Sequence, residues 1–81
     1  MGNPSRRFTE QLGDRVRRLR RERGFSQDRV SLSANIDQSG YSKFERGLRN
    51  FGDEALHRIA DALGVEFDEM VRGIESDRTR T

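Results

Sequence analysis

The side chains best suited to chemistry lie between Phe25 and Gly47, in the run FSQDRVSLSANIDQSGYSKFERG. Gln38 carries an amide that both donates and accepts hydrogen bonds, Ser39 and Ser42 carry hydroxyls, and Lys43 an ammonium. On a helix opening after Asp37, Tyr41 and Phe44 are three apart and Leu48 lies just beyond, so they form a buried stripe. The four polar residues point away from it. This is recognition chemistry, without nucleophile or proton relay. His57 is the one histidine, cysteine is absent, the carboxylates are scattered at helical spacings, and no glycine-rich nucleotide fingerprint occurs. No enzyme activity, cofactor, metal or small-molecule ligand is therefore expected. Two short helices joined by a tight turn, the second presenting polar side chains outward, form the layout of a helix-turn-helix reader of double-stranded DNA.

The elements that must hold this face are legible around it. Ser26 is a good N-cap for the first of the two helices, on which Val30 and Ala34 share a face. Asn35 tolerates the left-handed conformation that ends a helix and turns the chain. Ile36 is an apolar turn residue aimed at the core. Asp37 caps the second helix, which runs to about Arg46, and Gly47 takes the position just past its end. Upstream, Phe8, Leu12, Val16 and Leu19 recur at helical spacing, which predicts an amphipathic helix over about 5–23, stopped by Gly24. Downstream, Leu56, Ile59, Ala60 and Leu63 give a helix over about 53–63, with Asp53 and Glu54 at its positive end and Gly64 after it. A short helix over 67–72 follows, with Phe67, Met70 and Val71 apolar and Gly73 as the stop. The expected organisation is a flexible start (1–4), one all-α domain of five helices (5–74) and a disordered polar tail (75–81).

Charge is unevenly spread. Residues 1–49 hold twelve basic and six acidic side chains, whereas residues 50–81 hold four basic and eight acidic. The basic half contains the reader segment, as a phosphate-facing surface requires. Fifteen of the sixteen basic residues are Arg, which suits bidentate contact with phosphate or guanine. No apolar run approaches the roughly 18 residues that span a bilayer, and no apolar h-region follows the first residues, so a cytoplasmic protein without membrane contact is expected.

The order and spacing of several short runs resemble the Cro/C1-type helix-turn-helix family, also called the xenobiotic-response-element family. The carriers are Leu12-Gly13, Val16, Leu19-Arg20 and Arg23-Gly24; Ser26-Gln27; Ala34-Asn35-Ile36; Tyr41 through Gly47; Arg49-Asn50; and Leu56, Ile59-Ala60 and Ala62 through Val65. Asn35 stands where Gly is usual, Ser31 where Ala is usual, Leu32 where a polar residue is usual and Phe51 where Pro is common. The resemblance implies a lambda-repressor-like fold. Asn35-Ile36-Asp37 and Glu45 through Asn50 also resemble restriction–modification controller proteins.

The resemblance places the helix after Asp37 in the major groove, with Gln38, Ser39, Ser42 and Lys43 as base readers. Gln38 would pair with adenine and Lys43 with guanine or a phosphate. Gln27 would clamp a phosphate at the start of the preceding helix, and Arg46, Arg49 and Asn50 would hold the other strand's backbone. Arg6, Arg7, Arg17 and Arg21 are looser candidates, better read as a solvated face. Gly40 is unusual inside a helix and would permit close approach of backbone to DNA. Arg20 and Glu45 each border a buried stripe, where a charge needs a partner; the family pairs these positions, so they are expected to form a structural salt bridge.

The implied function is a sequence-specific transcriptional regulator, a homodimer on a palindromic operator. The expected dimer surface is Val65, Phe67, Met70, Val71 and Ile74 with Leu48 and Phe51, because a fifth helix so short should not bury all its apolar residues against the fourth. The rival readings are an antitoxin-type autorepressor of a toxin–antitoxin operon and a helical protein–protein interaction module.

Overall fold

The computed structural model describes residues 4–74, with side chains from Arg6 onward. It is all-helical: α1 (Pro4–Glu22), α2 (Gln27–Ser33), α3 (Gln38–Glu45), α4 (Asp53–Leu63) and α5 (Phe67–Val71). Pro4, expected in the flexible start, opens α1, while residues 1–3 and the expected tail at 75–81 lie outside the described residues.

Local chemistry sets the helix ends. The Ser26 hydroxyl accepts from the Arg29 amide at 3.0 Å, and an Asp37 carboxylate oxygen accepts from the Gly40 amide at 3.0 Å. Asn35 has φ 56°, and Gly24, Gly47, Gly64 and Gly73 all have positive φ just past their helices.

The core is one cluster. Leu12 and Val16 of α1, Val30 and Ala34 around α2, Tyr41 and Phe44 of α3, and Leu56, Ile59, Ala60 and Leu63 of α4 are enclosed together. α3 packs against both α1 and α2, and α4 against α2. Gly13 lets α1 meet α3 closely, since a Cβ there would run into the Phe44 and Glu45 carbonyls.

The expectation that α5 has only α4 to cover it fails, because α5 packs on α1 as well. Met70 is 0% exposed and Val65 8%, so both belong to the monomer core and neither offers the dimer surface expected of them.

Candidate nucleic-acid interface

α3 is held by its inner face. Tyr41, Phe44 and Glu45 are buried, and Gln38, Ser39 and Lys43 are exposed on the other side, with Ser42 half-buried at the edge. The four expected base readers therefore share one outward stretch of α3, seated on a rigid core.

Behind that face lies a fully satisfied polar network centred on Glu45. Arg20 donates from Nε to Glu45 Oε2 at 2.6 Å and from Nη2 to Oε1 at 3.0 Å, a bidentate pair. Tyr41 donates its hydroxyl to Glu45 Oε2 at 2.6 Å, and Gln27 donates from Nε2 to Oε1 at 2.9 Å. Arg20 Nη1 also donates to the Phe25 carbonyl at 2.8 Å. The side chains of Arg20 and Glu45 are 10% and 1% exposed, so the pair lies inside the protein and not at the boundary suggested by the spacing. Burial alone would push the Glu45 carboxyl up. The hydrogen bonds from Arg20, Tyr41 and Gln27, with the Arg20 charge, outweigh it and hold the carboxyl below its usual value. The bond from Arg20 to Glu45 raises Arg20, and burial, followed by the bond from its own hydroxyl to Glu45, pushes the Tyr41 phenol far up.

The expected phosphate contacts flank α3. Gln27 opens α2, half-buried, with one amide N–H committed to Glu45 and the rest of the amide uncommitted by that bond. Arg46 is the exposed C-cap of α3. The Asn50 side-chain oxygen Oδ1 accepts from the Phe51 backbone N–H at 2.8 Å, which shapes the loop, and Asn50 is exposed. Arg49 is exposed, and its side chain folds back along α3. Its guanidinium lies 4.7 Å over the Phe51 ring and beside Gly40, where an added Cβ would be 2.8 Å from Nη1. Gly40 is thus covered by Arg49, which corrects the expectation that its space is left for DNA. Phe51 in turn packs on Phe44, ring centroids 5.3 Å apart. Of the looser candidates, Arg6 pairs with Glu10 at 3.2 Å and Arg17 with Asp14 at 2.6 Å.

Some roles escaped the sequence. Tyr41 read as a core residue, and nothing local showed its hydroxyl meeting Glu45, although the four-residue spacing on one helix allows it. Arg58 Nε donates to the Ala34 carbonyl at 2.8 Å and so closes the end of α2. Arg15 donates to the Glu69 and Arg72 carbonyls at 3.2 and 2.8 Å and closes α5 in the same way. No sequence pattern near Arg15 or Arg58 announces partners more than twenty residues away. His57 stacks on Phe67, centroids 4.1 Å apart.

A short capped helix, a turn through left-handed Asn35 and a second helix with a polar outer face define a helix-turn-helix domain. A family model described as a helix-turn-helix domain matches residues 11–72, and the chain belongs to that family of transcriptional regulators. It is 40% identical over 60 residues to the uncharacterized HTH-type transcriptional regulator y4dJ of Sinorhizobium fredii, covering 74% of this chain and 78% of that one. It is 30% identical over 67 residues to the control protein C.MunI of a Mycoplasma species, covering 82% of this chain and 90% of that one. Among solved structures it superposes on the restriction-modification controller protein C.AhdI of Aeromonas hydrophila. The TM-score is 0.74 at 32% identity, covering 76% of this chain and 94% of the other. No described helix is long and apolar enough to cross a membrane.

Proposed function

We propose that this chain is a sequence-specific regulator that binds double-stranded DNA as a homodimer, in the manner of a restriction–modification controller protein, in the cytoplasm. The observation that carries the reading is the division of α3. Its buried face is locked to α1 and α2 through Glu45, and its exposed face sets out Gln38, Ser39 and Lys43. Gln27 on one side and Arg46, Arg49 and Asn50 on the other would meet phosphates while α3 lies in the major groove. One such helix covers only a few base pairs, so a second copy on a palindrome would supply the remaining specificity. The similarity to C.MunI and C.AhdI over most of their lengths supports the controller class.

Duplex binding should be strongly salt-dependent, with log K falling against log salt by about 0.9 per phosphate neutralised. Fluorescence anisotropy with a labelled duplex between low and moderate salt measures that slope. Binding that is absent at low salt, or flat with salt, contradicts the proposal.

A further inference from the structure

We propose that Gly40 and Phe51 are positioning residues. Together they form a seat that holds the Arg49 guanidinium against the flank of α3, ready for a phosphate on the wall of the groove. The inference rests on the DNA-binding reading above and adds two residues to it, neither of which reaches the DNA.

Three observations on this chain carry it. Gly40 sits inside α3 with the Arg49 Nη1 so close that a Cβ would come within 2.8 Å of it. The Phe51 ring lies under the same guanidinium at 4.7 Å and is itself fixed against Phe44 of the core. No acid neutralises Arg49 among the described salt bridges, whereas Arg6, Arg17, Arg20 and Arg58 all have one. An arginine side chain loses considerable rotamer freedom when it docks. A guanidinium already laid between an aromatic face and a bare helix flank loses less at that moment, which is the gain from preorganisation.

The helix geometry selects the target. With Tyr41 and Phe44 inward and Ser39 and Lys43 outward, Gly40 falls on the side of α3, about 100° from Tyr41. A helix lying in a major groove presents its outward face to base edges and its flank to the sugar–phosphate wall. Arg49 at that flank therefore meets a phosphate and not a base.

The test is a double-mutant cycle of Gly40→Ala and Arg49→Ala. Affinity is read by anisotropy on the duplex enriched by the wild-type protein from a random pool, at several salt concentrations, with thermal melts to verify folding. Arg49→Ala should weaken binding about tenfold on every sequence, as loss of one charged hydrogen bond implies, and should lower the salt slope by about 0.9 per subunit. Gly40→Ala should fold at least as well as wild type and still lose affinity, because its methyl group displaces the guanidinium. In the Arg49→Ala background, Gly40→Ala should have no further effect. An equal loss from Gly40→Ala with and without Arg49 overturns the seat and shows the methyl group meeting DNA directly. A Gly40→Ala protein that binds like wild type also overturns it. A wild-type protein that enriches no duplex overturns the DNA-binding reading itself.

Discussion

At the scale of single residues the central feature is Glu45, a buried carboxylate whose oxygens accept four hydrogen bonds from α1, α2 and α3. Removing one partner of a pair this deeply enclosed strands a charge, so Glu45→Ala or Arg20→Ala should each destabilise by about 3–5 kcal/mol. The double change should destabilise by less than the two together, as urea unfolding would show. The pH dependence has a definite sign. Glu45 titrates below its unfolded value, so its contribution is complete above the ordinary carboxylate range and is lost as pH falls through the depressed folded value. Unfolding curves between neutral pH and about pH 3 should show this acid loss shrink in Glu45→Gln. The pairing of Arg20 with Glu45 was expected only through the family resemblance, since the spacing showed two boundary charges and no more. Gln27 as the third partner was not legible, because a phosphate role and a structural role use the same amide.

At the scale of elements, the helices and most of their ends were legible because the signals are local. Ser26, Asp37, Asn35 and the glycines past each helix act within a few residues of where they stand. What local pattern could not show is how elements are joined. The Arg58 bond to Ala34 links α4 to the end of α2, and the Arg49 seat links the loop to the middle of α3. Reading α5 as packed on α4 alone put Met70 on the surface, whereas contact with α1 encloses it. Asn35 at φ 56° is the hinge of the motif. Asn35→Gly should leave stability unchanged or slightly raised, and Asn35→Val, β-branched in a left-handed position, should lower it by about 1–3 kcal/mol in thermal or urea unfolding. Arg58→Ala should lower it by about 1 kcal/mol through the lost carbonyl bond.

At the scale of the whole molecule, the charge division and the remaining apolar surface bear on assembly. Leu48 is 68% exposed, and Phe67, Val71 and Ile74 are only half-buried, so these four remain of the expected dimer surface with Phe51 partly engaged elsewhere. Sedimentation equilibrium at micromolar concentration should give a dimer, and Ile74→Asp should shift it toward monomer while the fold persists. Met70→Asp is unsuitable for this purpose, since it places a charge in the core. The central claim is that the exposed face of α3 reads the sequence of duplex DNA. Selection from a randomised duplex pool tests it most directly, with wild type, Gln38→Ala and Lys43→Ala run in parallel. Wild type should enrich a palindrome with half-sites about one helical turn apart. Each variant should relax or change preference at particular base positions, by roughly 1–3 kcal/mol for a good bidentate contact, without abolishing binding. No enriched sequence with wild type, or the same base preferences in all three proteins, would contradict the account.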